Sequence, residues 1–130
     1  MSKLETPLTR WYWRQTGGLL IEEFPLVAKG PDNSPRWADG LIVLGEPNGI
    51  NAQKDFDIEG RDVIVVQTKA RRLGMNLMGQ CLFSLSLVKQ LRPKTALSVA
   101  LCTQDDPILR PLLEIHPGCQ VVVCPEGIAL

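Results

Sequence analysis

The chain has 130 residues, 45% of them apolar, with 14 Lys plus Arg balanced by 14 Asp plus Glu. That suits one domain with its own core and is too apolar for a disordered chain. The charge balance argues against tight, sequence-independent nucleic-acid binding and leaves room for a local basic groove.

Thr6-Pro7 predicts a helix start, with Thr at the cap and Pro in the first turn. The helix runs through Leu8, Trp11, Tyr12 and Gln15 and stops at Gly17-Gly18. Leu19 to Val27 reads as a strand with Glu22-Glu23 in its middle, and Lys29 to Ser34 as a turn. Trp37 to Leu44 is a second strand, which contains Asp39. Glu46 to Gly60 reads as a polar loop. Arg61 to Ala70 is a third strand, closed by Gln67-Thr68-Lys69. From Leu73 to Leu91, apolar residues recur at helical spacing through Leu77, Cys81, Ser84 and Val88, and Arg92-Pro93 ends the helix. Thr95 to Thr103 is a fourth strand, Asp105 to Glu114 a short helix and Cys119 to Cys124 a fifth strand.

The expected class is α/β, in the order α-β-β-β-α-β-α-β, with the whole of residues 1–130 in one domain. Three early strands joined by turns form an antiparallel meander. The long helix then crosses over to a parallel strand, giving a mixed sheet flanked by helices.

Strand alternation puts Val63, Val65, Gln67 and Lys69 on one face. A Gln and a Lys thus stand where a covered strand carries valine, and buried polar groups are costly unless paired or used. A carboxylate and an ammonium brought together at such a strand end can hold a metal ion and a phosphate. Asp39 is the candidate carboxylate and Lys69 the candidate ammonium.

The remaining residues narrow the classes. Cys81, Cys102, Cys119 and Cys124 form no CxxC pair, and they read as small buried thiols of a reducing compartment. Cys119 and Cys124 are five apart and face opposite ways on a strand, which argues against shared zinc ligation. No run reaches membrane-span length, and the first residues lack an apolar signal core. The expectation is a soluble cytoplasmic protein with no membrane contact. Trp11, Tyr12 and Trp13 read as residues that pin the first helix to the sheet, with stacking on bases as the other reading. His116, before Pro117, reads as a loop residue.

The helix, three strands with Asp39 on the second and Gln67-Thr68-Lys69 ending the third, then a long helix and a strand, resemble the restriction-endonuclease-like superfamily with its PD-(D/E)xK signature. The likeness spans about residues 6 to 104. The Pro of the signature is absent before Asp39, and Gln67 replaces the second acid, as in the Mrr-type restriction endonucleases. The resemblance implies a metal-dependent nuclease that hydrolyses phosphodiester bonds in DNA or structured nucleic acid, with Mg²⁺ or Mn²⁺ as cofactor. By the same resemblance Asp39, Gln67 and Lys69 are catalytic. Asp39, Gln67, the Thr68 carbonyl and one of Glu22 and Glu23 hold the metal. Glu5 is a remoter choice for that last acid. RecB-like exonucleases of the superfamily carry a Gln on the following helix, where this chain has Gln80. Arg71 and Arg72, in the expected first turn of that helix, are candidates to contact the phosphate backbone together with Gln80. The expected partners are DNA, a second copy of the chain in a homodimer formed through the apolar helix, and a further protein that supplies DNA recognition. The alternative is a catalytically silent nuclease-fold module that acts in binding or assembly.

Overall fold

The computed structural model describes residues 3–51 and 54–128. Helix α1 spans Thr6–Thr16, strand β1 Leu19–Val27, β2 Arg36–Val43, β3 Gly49–Asn51 and β4 Asp62–Thr68. Helix α2 spans Met75–Lys89, β5 Thr95–Cys102, α3 Arg110–Glu114 and β6 Cys119–Val123. The strands form one six-stranded sheet in the order β3-β1-β2-β4-β5-β6. β1, β2 and β4 are the expected antiparallel meander, and β5 and β6 join parallel to β4 and β5. The α/β class and the mixed sheet flanked by helices are as read from the sequence.

Two details of the expected order are corrected. β3 is a short strand inside what read as loop 46–60, and it pairs parallel with β1 at the sheet edge. It is held there by the Gly18 amide, which donates to Asn48 Oδ1 at 2.8 Å, and by the Gly49 amide on the Gly18 carbonyl. Gly18 itself has φ +92°, and a Cβ there would stand 2.7 Å from the Val43 carbonyl oxygen, so only glycine fits the turn. At α1 the N-cap is Glu5 rather than Thr6, and Pro7 lies in the first turn as expected.

Helices cover both faces of the sheet. α2 buries Leu77, Cys81, Ser84, Leu85 and Val88 against β4 and β5, a stripe at helical spacing. Leu77, Cys81, Leu85 and Val88 share a core with Val63 and Val65. On the other face α1 buries Leu8, Thr9 and Tyr12 against Ile42, Ile64 and Val66. Trp11 and Trp13 pack beside that second core, so they pin α1 as expected. All four cysteines are free and buried, with Cys119 in one core and Cys124 in the other. Burial pushes the thiols of Cys81 and Cys124 up to about 12.

The far edge of the sheet is closed by side chains. The Val121 amide of β6 donates to Glu114 at 3.0 Å, and its carbonyl accepts from Arg110 at 3.3 Å. Arg110 also donates to Glu114 and Asp105. Two residues of α3 thus occupy hydrogen-bonding groups that an added strand would use.

Candidate active site

The β2–β4 ladder pairs Val43 with Val63, Ile42 with Ile64, Leu41 with Val65 and Gly40 with Val66, and stops there. The next two residues on the diverging strands are Asp39 and Gln67. Side chains replace the missing ladder bonds. The Thr68 amide donates to Asp39 Oδ2 at 2.8 Å. The Asp39 amide donates to Gln67 Oε1 at 3.4 Å, and Gln67 Nε2 donates to the Trp37 carbonyl at 3.2 Å and to Ser84 Oγ at 2.9 Å. The two candidate residues therefore lock each other's strands.

This network explains why position 67 is Gln. The Trp37 carbonyl needs a donor and the Asp39 amide needs an acceptor, and a carboxamide supplies one of each. A Glu could not donate to the carbonyl. Gln67 is 6% exposed, and its Oε1 retains one lone pair beyond the bond from Asp39.

Glycine at position 40 sets the depth of the site. A Cβ there would lie 3.0 Å from Thr9 Cγ2 and 3.1 Å from Leu20, so α1 sits close against the sheet. Thr9 Oγ1 then reaches Thr68 Oγ1 at 2.8 Å in a buried contact. Thr68 is fixed from one side by α1 and from the other by Asp39. Amide and carbonyl of one strand residue leave from the same edge, so the Thr68 carbonyl also faces toward Asp39.

The Asp39 carboxyl is half-buried, and burial raises its pKa above the ordinary carboxylate value. The Thr68 amide and the Lys69 ammonium oppose that rise, and the nearby Glu5 carboxylate adds to it.

A cleft of about 730 Å³ opens at this strand end, between the meander and α2. Glu23, Asp39, Gln67, Lys69 and Gln80 all line it. Of the two adjacent acids, Glu23 is therefore the one that lines the cleft with Asp39. Glu22 points to the α1 side, where Arg10 holds it with two hydrogen bonds of 2.9 and 3.0 Å. Glu23 owes its placement to a left-handed backbone, φ +53°. That residue breaks the side-chain alternation of β1. Ile21 and Phe24, three apart, both reach the core under α2.

Arg71 and Arg72 are exposed and do not line the cleft. They precede α2 rather than forming its first turn, because Gly74 is extended and the helix begins at Met75. The Arg71 carbonyl accepts from the Thr103 amide, and Arg72 forms an isolated bridge with Gln104. The cations that do line the cleft with Lys69 are Arg36 and Lys54, and both were missed by the sequence reading. Lys54 donates to the Glu22 carbonyl at 2.6 Å and lies 4.0 Å from the Glu23 carboxylate. No linear signal marks it, since it comes from a polar loop. Trp37 and Phe83 also line the cleft.

The donors fit a hard divalent cation in part. Asp39 Oδ1, the Thr68 carbonyl, Gln67 Oε1 and the Glu23 carboxylate are all oxygens, the type that Mg²⁺ and Mn²⁺ take. Among the described residues no group of three or more His, Cys, Asp and Glu converges. Two carboxylates with two neutral oxygens suit one octahedral ion that keeps water at its remaining positions.

Among the described residues no helix is long and apolar enough to cross a membrane. Comparisons with family models, with curated proteins and with solved structures found no match to this chain.

Proposed function

We propose that the protein is a metal-dependent nuclease of the restriction-endonuclease-like type, acting on DNA or structured nucleic acid with Mg²⁺ or Mn²⁺. The observation that carries this reading is the gathering of Asp39, Glu23 and Lys69 in one cleft at a splayed strand end. The succession α1, β1, β2, β4, α2, β5 supports it, since it follows the helix-meander-helix-strand order of that superfamily.

Each residue has a role that its surroundings allow. Asp39 and Glu23 would hold the cation, with the Thr68 carbonyl and Gln67 Oε1 completing the oxygen set. When bound, the ion would neutralise charge on the phosphate and make water a better nucleophile. Asp39 must be ionised to bind it, so metal binding should weaken as pH falls toward its raised pKa. Lys69 forms no ion pair within 4 Å among the described residues, and its ammonium is available to the phosphate or the attacking water. Gln67 acts chiefly as a positioning residue that fixes Asp39 and Trp37.

A second reading keeps the cleft and drops the chemistry: a silent nuclease-fold module for binding or assembly. It is favoured by the three hydrogen bonds of Gln67, which serve the fold without any metal. The two are separated by incubating the protein with labelled duplex, single-stranded, branched and supercoiled DNA and with RNA, in Mg²⁺, in Mn²⁺ and in EDTA. Cutting that requires the metal supports the nuclease. A folded protein that cuts nothing, alone or as a homodimer, supports the silent module.

A further inference from the structure

The α2 wall of the cleft is built unlike the rest of that helix. Gln80, Phe83, Ser84 and Leu87 recur at helical spacing, so one stripe of α2 faces the opening. Phe83 on this stripe is 66% exposed, and Trp37 across the cleft is 56% exposed. Gly79 lies one turn before Phe83 and lines the same opening.

Gly79 has no structural reason to be glycine. It lies inside α2, where glycine weakens a helix relative to alanine. A Cβ built there would meet nothing within 4 Å, and its φ is ordinary. The helix thus gives up stability to keep its surface bare beside an exposed aromatic ring. A flat ligand laid against Gly79 and Phe83 accounts for both features.

We propose that this stripe is a platform for an unpaired nucleobase, so that the cleft takes a single-stranded or frayed nucleotide rather than an intact duplex. The proposal rests on the nuclease reading for the phosphate, which would lie toward Lys69 and Asp39. Charge points the same way. Duplex binding draws mainly on many phosphate contacts, and this chain is neutral overall with three cations, Arg36, Lys54 and Lys69, at the cleft. Stacking on an aromatic ring supplies affinity without charge and tolerates every base. The cleft volume, about 730 Å³, is that of a small-ligand site and not of a duplex groove. Gln80, exposed beside Phe83, can donate to or accept from a base edge.

The test is fluorescence anisotropy with labelled oligonucleotides of about 12 residues, single-stranded DNA, single-stranded RNA and blunt duplex DNA, in EDTA to prevent cutting. Single strands should bind at least about tenfold tighter than the duplex. Phe83→Ala should weaken single-strand binding about tenfold (about 1.4 kcal/mol), and Phe83→Trp should preserve it. Gly79→Leu should leave a folded protein that melts about 3 °C higher and binds single strands about tenfold more weakly. Equal affinity for duplex and single strand overturns the platform. So does Phe83→Ala or Gly79→Leu with unchanged single-strand affinity, above all if either change converts a dimer to a monomer by light scattering, since α2 would then be a contact between copies. Metal-dependent cutting without strand preference removes the platform and leaves the nuclease. Strand-selective binding without any cutting removes the nuclease and leaves the platform.

Discussion

Asp39→Asn offers the sharpest separation of function from fold. The Asn carbonyl can still accept from the Thr68 amide, which now donates to Asp39 Oδ2 at 2.8 Å. That bond weakens from a charged to a neutral one, a loss of about 1 kcal/mol. Against this, the variant no longer keeps a half-buried carboxylate near Glu5, and that relief outweighs the weakened bond, because the net effect of the fold on Asp39 is to raise its pKa. The net expectation at pH 7 is a variant more stable than wild type, with each kcal/mol of gain reading as about 3 °C in Tm for a chain of this length. The sign depends on pH. The folded pKa of Asp39 lies above the ordinary value of 3.8. Below that value both states hold the proton and the ionic cost is absent. As pH rises through the folded value, wild type loses stability relative to the variant, and the full gap stands at neutral pH. Thermal melts of both proteins between about pH 4 and pH 7 should show the gap opening with pH. In the same preparations, metal-dependent cleavage by the variant should fall about 10³-fold. A variant that is less stable than wild type at pH 7, or one that still cuts, would refute the reasoning.

Other perturbations probe the remaining parts. Gln67→Glu sets a carboxylate against the Trp37 carbonyl, which it cannot satisfy, and should cost about 2 kcal/mol without metal. The added charge should also tighten Mn²⁺ binding, so melts with and without Mn²⁺ should show a larger metal-induced rise than in wild type. Replacing Arg110 and Glu114 together by Ala uncovers Val121 on the β6 edge and should produce concentration-dependent association in size-exclusion chromatography. With Cys81 and Cys124 buried and pushed up to about 12, thiol reagents at pH 8 should modify neither until the chain is unfolded, as read by mass spectrometry of quenched samples.

The sheet was legible because its signals are local. The valines of β4 alternate with period two up to Gln67 and Lys69, and both polar residues stand on the α2 face as that alternation requires. The stripe on α2 and the stop at Arg92-Pro93 are equally local. What stayed hidden depends on the backbone or on contacts distant in sequence. The left-handed turn at Glu23 follows no residue preference, since glutamate disfavours it. The sequence could therefore say only that one of two adjacent acids faces the site. β3 is three residues long and is held by Gly18 and Asn48 rather than by its own apolar pattern. Lys54 reaches the cleft by crossing β1 to the Glu22 carbonyl, a contact between residues 32 apart. Arg71 and Arg72 looked helical by proximity to α2, and the extended Gly74 places them before it.

The central claim is that Lys69, Asp39 and Glu23 form one hydrolytic centre. Lys69→Met is its most direct test, because the ammonium makes no ion pair within 4 Å among the described residues and its loss should leave the fold intact. Wild type and variant are compared on the nucleic-acid panel in Mg²⁺ and Mn²⁺, with circular dichroism melts of the same samples. The account predicts metal-dependent cutting by wild type, unchanged melting, and loss of cutting in the variant. Cutting that survives in a folded Lys69→Met protein would contradict it and place the chemistry elsewhere.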